Sequence, residues 1–389
     1  MKHIALVLTL LALTLPVAAQ KEKSILKQAD LMIAQRQYES AYRLLDNFDP
    51  TNDRAAVLLK KEEIVLSYFA QSIMHSMFSL KDLAEGESLD SVRINFKQGN
   101  VFAFDADSLT RRLLAKHPHD KALLAGHTRY HDALLNNYDD NVWSMFLDSA
   151  CLALLAADKE NPSACYQLGF YHLMNEDYAA AEPLLLKTVK LCDTVYQAHY
   201  NLGVVEYYLN KYPLAVTHLR RAYHGYRHPA LKGDAARIIG ILYDHPLDKA
   251  DSALHYYQLA VAIDSAYLNQ AFLLGYYLRH SHPKADEQAL RCWRAALAGD
   301  DTFGDLNDLV GRYMELGMSK AAAQFLMQRN ADALGDYERG LCCIYLGRIL
   351  SDTPADAIPW LEAGIKHFEK EEAPEEFLNS LRQMIDRLR

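Results

Sequence analysis

Histidines and cysteines are the side chains whose spacing in this chain would allow chemistry. His127 and His131 stand four residues apart, which on a helix puts both imidazoles on one face, where two neutral rings can share a metal ion. No nearby glutamate or third ligand completes an H-E-x-x-H pattern, so the pair reads as surface or capping histidines. His117-Pro-His119 and His280-Ser-His282 read the same way, and no metal site is expected. The six cysteines, Cys151, Cys165, Cys192, Cys292, Cys342 and Cys343, contain no C-x-x-C. In 389 residues they do not form a disulfide framework, although a bond between Cys151 and Cys165, or between Cys165 and Cys192, is conceivable. Most read as buried thiols at helical positions, with Cys342 and Cys343 facing different sides of one helix. A phosphate-cradling glycine loop, a G-x-S-x-G elbow and a paired-carboxylate motif are all missing, so neither an enzyme nor a cofactor is expected.

The elements that would hold any site are repeated. Cys165-Tyr-Gln-Leu-Gly-Phe-Tyr-His followed by Tyr178-Ala-Ala-Ala-Glu-Pro-Leu-Leu returns 34 residues later as His199-Tyr-Asn-Leu-Gly-Val-Val-Glu and Tyr212-Pro-Leu-Ala-Val-Thr-His-Leu. Leu168 and Gly169 align with Leu202 and Gly203, Tyr178 with Tyr212, and Ala181 with Ala215. Two antiparallel helices approach closely only where one presents almost no side chain, and Gly169 and Ala181 offer such contacts. A glycine inside a helix costs roughly 1 kcal/mol relative to alanine, so its return in each unit implies a packing reason. Leu168, Tyr171 and Leu185 fall at helical spacing, and one hairpin alone cannot bury them.

Period and residue order resemble the tetratricopeptide repeat family, although Cys165 and His199 stand where that family has tryptophan. The resemblance implies an all-α fold, an α-solenoid or superhelix of tandem helical hairpins. Glycine and alanine marks continue at Gly240 with Ala253, Gly275 with Ala289, Gly311 with Ala323 and Gly347 with Ala357, at glycine-to-glycine steps of 37, 35, 36 and 36. Six hairpins are therefore expected over 162–370, with a charged capping helix over 371–389.

The amino-terminal part is less regular. Residues 1–19 have a basic start, an apolar run of about 12 residues and small residues at the exit, a secretory signal peptide cut near Ala19. That run is short of the roughly 20 residues needed to span a bilayer, and no cysteine follows for lipid attachment. Residues 20–160 read as divergent helical repeats. Ala29, Tyr38, Ala41 and Leu45 keep the repeat offsets, Arg54 to Leu83 reads as one long helix, and Lys121 to Asn136 with Asn141 to Lys159 read as a hairpin. Within an insertion at 85–105, Val92, Ile94 and Phe96 alternate with polar residues before Gln98-Gly99-Asn100 and Val101-Phe102-Ala103-Phe104, which reads as a small β-hairpin near 90–105 or an apolar loop. A helix then resumes at Ser108, capped by Asp105 or Asp107.

The resemblance also implies which residues face a partner: first helices line the concave face, through positions three before, one after and four after the glycine. These are Tyr166, Phe170, Tyr200, Val204, Tyr208, Arg237, Phe272, Tyr276, Arg279, Arg312 and Arg348, with Asp244 and Asp308 among the carboxylates. Tyrosines bury area at low entropy cost and arginines offer forked donors, which fits a protein or an extended peptide. A net charge of −9 without a basic run argues against nucleic acid and against an anionic membrane. The reading is a non-catalytic protein–protein interaction scaffold, exported to the periplasm and not a lipoprotein. An outer-membrane-associated glycan or nutrient binder is the alternative.

Overall fold

The computed structural model describes residues 19–389 except 75, 96–100 and 139–141. Residues 1–18 of the expected signal peptide, and Phe96 and Gln98-Gly99-Asn100 of the expected hairpin, lie outside the described residues. Contacts divide the chain into two compact units, the first ending at Leu209 and the second running from Asn210 to Arg389.

The first unit opens with α1 (residues 19–34) and α2 (Tyr38–Phe48). Ala29, Ala41 and Leu45 are fully buried, so the divergent repeat is a packed hairpin. Its turn carries Arg36 at φ 64°, two residues before α2. Glu176 (φ 60°) stands two before α9 (Tyr178–Leu191) in the regular repeat, and in the second unit Asn210 (φ 59°) and Gly317 (φ 67°) stand two before α11 (Tyr212–Gly225) and α17 (Ser319–Asp332). A left-handed residue costs roughly 1 kcal/mol for any side chain but glycine. Its return at one place marks a shared turn even where residue identities have diverged.

Arg54 to Leu83 is not one helix. The helix α3 (Ala55–Tyr68) ends at Phe69, whose backbone is extended, and the chain continues into β1 (Gln71–Met74) and β2 (Met77–Ser79). A third strand, β3 (Val101–Ala103), pairs antiparallel with β2, giving the order β1-β2-β3. The expected hairpin near 90–105 is corrected accordingly: Val92 and Ile94 belong to a helix, α4 (Leu89–Asn95), while Val101 to Ala103 pair with Met77 to Ser79. Phe78 and Phe104 bury the sheet against Tyr42, Val57 and Leu123. Arg93 ties α4 to the end of α3 by donating from Nε to the Phe69 carbonyl at 3.0 Å, with its guanidinium over the Phe69 ring.

The rest of the first unit is α5 (Ala106–Lys116), α6 (Lys121–Tyr138), α7 (Val142–Ala157), α8 (Pro162–Met174), α9 and α10 (Tyr196–Tyr208). The α5 cap is Asp105, which accepts from the Ser108 amide. Asn161 and Asp177 cap α8 and α9 in the same way.

The second unit runs α11, α12 (Pro229–Asp244), α13 (Ala250–Ile263), α14 (Tyr267–Arg279), α15 (Ala285–Ala298), α16 (Thr302–Glu315), α17, α18 (Asp336–Ile349), α19 (Pro354–Lys370) and α20 (Glu375–Leu388). One continuous core joins Trp293, Tyr313, Leu326, Leu341, Tyr345, Leu361 and Phe368. On α20, Leu378, Leu381 and Ile385 face that core, and Arg382 pairs outside with Glu369 and Glu375. The helix is thus amphipathic, with its apolar side on the core and its charged side away from it.

Alanine marks behave alike and glycine marks do not. Ala181, Ala215, Ala253, Ala289, Ala323 and Ala357 are all buried. A Cβ on Gly169 would meet Leu185 at 2.9 Å, on Gly240 Tyr257 at 2.7 Å, and on Gly347 Leu361 at 2.5 Å. Those three are helix crossings. At Gly275, however, the nearest atoms are the guanidinium tips of Arg279 and Arg312 at 3.2 Å, and at Gly311 nothing lies within 4 Å. The expectation that every repeat glycine marks a tight crossing is corrected at these two positions.

Candidate functional site

In the first unit, α8 and α10 set the aromatic positions side by side. Tyr166 and Phe170 stack with centroids 6.3 Å apart, and Asn201 donates from Nδ2 to the Tyr166 hydroxyl oxygen at 3.3 Å. Burial pushes the Tyr166 phenol up to about 12, with the Asn201 hydrogen bond working the other way. Tyr200 and Val204 are half-buried on α10. Tyr208, on the same helix, is 53% exposed and lies flat against Tyr178 of α9, centroids 4.4 Å apart. Two stacked aromatic pairs therefore stand on this unit, one half-buried and one reaching solvent.

In the second unit, α12, α14 and α16 bring three arginines together. The Phe272 ring is held between the guanidinium carbons of Arg237 at 4.9 Å and Arg312 at 5.0 Å, a double cation–π contact. Gly275, one turn along α14, leaves the space that the Arg279 and Arg312 side chains occupy. Each of these arginines already has an internal carboxylate: Arg237 pairs with Asp234, Arg279 with Asp244, and Arg312 with Asp308 at 2.8 Å. Asp308 also accepts from the Tyr267 hydroxyl at 2.9 Å, and Asp244 from Tyr257 at 3.2 Å. The row is thus a neutral internal lattice and not a set of cations waiting for a partner.

Arg348 differs. Its Nη1 donates to Asn307 Oδ1 at 2.5 Å and its guanidinium lies over Tyr345, yet no carboxylate lies within 4 Å among the described residues. Asn307, Val310, Gly311, Met314, Tyr345 and Arg348 line a groove of about 210 Å³, floored by the uncovered Gly311. Tyr276 must be withdrawn from the partner-facing set. It is 5% exposed, donates to the Ala250 carbonyl at 3.1 Å and stacks on His280 at 4.2 Å, so it packs α14 against the start of α13. A larger cavity of about 430 Å³ lies among α13, α14 and α15, lined by Gln258, Gln270, Tyr277, Gln288 and Arg291, away from these positions.

The cysteines are all free, so neither conceivable disulfide forms. Burial pushes the Cys151 and Cys292 thiols up to about 12 and Cys343 up to about 11, which removes them as nucleophiles near neutrality. His280 lies 3.7 Å from Asp244, and His282 stacks on Tyr277 at 4.1 Å, as expected of histidines at a helix end. The pair His127 and His131 differs from that expectation: Asp107, twenty residues upstream on α5, supplies the third donor that sequence spacing did not show. Buried placement works against the Asp107 charge, but hydrogen bonds from both histidines and the Arg111 guanidinium outweigh it and hold this carboxyl well below its usual range.

The fold is all-α, a series of helices in tandem with one three-stranded insertion. No protein-family model and no curated protein matches the sequence. Among solved structures, MamA from residue 41 to its end, from Desulfovibrio magneticus RS-1, is 21% identical with a TM-score of 0.40, over 46% of this chain and 98% of that one. A double mutant of MamA RS-1 gives 21% identity and a TM-score of 0.41 over 46% and 97%, and another MamA crystal structure gives 18% and 0.35 over 41% and 81%. Overlaps of this size say nothing of activity or partner. No helix among the described residues is long and apolar enough to cross a membrane.

Proposed function

We propose that this chain is a non-catalytic scaffold of the cell envelope that holds a partner protein or extended peptide on the first-helix faces of its hairpins. The observation that carries this reading is the aromatic ledge of the first unit, where Tyr208 lies half in solvent, flat against Tyr178. A large ring held in place by a second ring offers apolar area to a partner with little entropy left to lose. In the second unit, the Arg348 groove adds a forked donor for a carboxylate beside the apolar side chains of Val310 and Met314. Export to the periplasm, with cleavage near Ala19, rests on the residue pattern at 1–19. Neither nucleic acid nor a membrane span belongs to this proposal.

The test is affinity capture from an envelope extract, comparing the mature chain with a Tyr208→Ala, Tyr166→Ala, Arg348→Ala variant. All three side chains reach solvent at least in part, so the variant should keep its helical circular dichroism and lose at least about 10-fold in recovery of a specific partner. Undiminished recovery by the folded variant rejects the proposed faces.

A further inference from the structure

We infer that Asp107, His127 and His131 form a binding site for a divalent first-row transition ion, with zinc as the natural probe. His127 Nε2 lies 2.8 Å from Asp107 Oδ1, His131 Nε2 lies 3.3 Å from the same oxygen, and the two nitrogens are 3.0 Å apart. An imidazole nitrogen carries either one hydrogen or one lone pair. Hydrogen bonding therefore satisfies at most two edges of this triangle, and the third brings two donors, or two acceptors, into contact. A cation is served by all three atoms at once. Triangle edges of 2.8, 3.0 and 3.3 Å put a point about 1 Å off its plane at about 2.1 Å from every corner, the length of a zinc–imidazole or zinc–carboxylate bond.

Local structure explains why the three donors meet. Spacing of four on α6 aims both imidazoles one way, and α5 delivers Asp107 from its first turn. The other Asp107 oxygen is held by Arg111, one turn along the same helix, which fixes the carboxylate orientation as outer-shell partners of metal ligands do. That guanidinium also brings a like charge toward the ion, which lowers affinity and rules out a site as tight as a four-ligand structural zinc. The His131 side chain is 2% exposed, while those of His127 and Asp107 are 15% and 18% exposed, so the site opens to solvent on the His127 and Asp107 side. Two histidines and one carboxylate with open positions form a set used by zinc, cobalt, nickel and ferrous iron. Such an ion ties α5 to α6 near the edge of the first-unit core.

The test uses the untagged mature chain after chelator treatment and dialysis. Titration with cobalt(II) should give visible d–d absorption saturating at one equivalent, and zinc should displace the cobalt and raise the melting temperature. His127→Gln and Asp107→Asn, checked by circular dichroism, should each weaken binding by about 10-fold or more. Binding unchanged in both folded variants would place the ion on other histidines of the chain and overturn the assignment, as would a cobalt-loaded chain without d–d bands. Proton NMR of the cobalt-loaded wild type gives a reading independent of the variants. Two paramagnetically shifted imidazole N–H signals are expected, and any other number counts against the site.

Discussion

Replacing Glu62 by glutamine is expected to raise resistance to urea at pH 9 and to change it little at pH 5. Glu62 sits on α3 with a fully enclosed side chain, and neither carboxylate oxygen has a hydrogen-bond partner among the described residues. The cation facing it, Arg129 of α6, is 3.6 Å away and is itself 60% exposed, too wet to repay the burial of a charge. Burial accordingly pushes the Glu62 carboxyl up to about 8, against which Arg129 works only in part. A folded-state pKa raised above the unfolded one means that the native state holds its proton longer. The associated stability is complete below about 4.5 and is lost as pH rises through about 8. At about 1.4 kcal/mol per pKa unit, the loss at pH 9 is on the order of 2 to 5 kcal/mol. Glutamine has no charge to bury and should escape it. Urea midpoints for both proteins at pH 5, 7 and 9 measure the effect, and parallel pH profiles would show that Glu62 is hydrated or paired in solution.

Two glycines at matching places in their repeats are expected to respond to alanine with opposite signs. At Gly347 the added methyl would lie 2.5 Å from Leu361, which is fully buried, and 3.4 Å from the Ala357 carbonyl of the same helix α19. Overpacking of that kind costs about 1–3 kcal/mol, of which helix propensity returns up to about 1. At Gly311 the methyl meets nothing within 4 Å, so the propensity gain stands alone and Gly311→Ala should stabilise by up to about 1 kcal/mol. Thermal unfolding of the two single variants gives the comparison. Stabilisation by both, or loss in both, would mean that α18–α19 and α16–α17 do not cross as described.

The contrast shows what the sequence made legible. A period of 34 to 37 residues, with alanine in each second helix, was enough to expect paired helices such as α8 with α9 in the first unit and α12 with α13 in the second. Packing partners were not readable from it. Gly311 keeps the repeat mark although its helix stands clear there, and Tyr276 occupies a groove position yet is pulled under by α13. The strands β1 and β2 were missed because Phe69 to Leu83 is a short apolar stretch that serves a helix or a buried strand equally well. Nor could local spacing reveal Asp107 beside His127, since it arrives from another helix; a carboxylate in the first turn of the preceding helix was the only available sign. The ion pairs that neutralise Arg237, Arg279 and Arg312 were hidden in part for the same reason: Asp244 reaches Arg279 from 35 residues away.

Five of the six thiols are enclosed and unbonded, and those whose titration is displaced are displaced upward. The fold is thus its own antioxidant: oxidants reach these sulfurs only in molecules that have opened. In stored samples these five should form illegitimate crosslinks only at the pace of spontaneous unfolding, whereas half-buried Cys192 can pair without it.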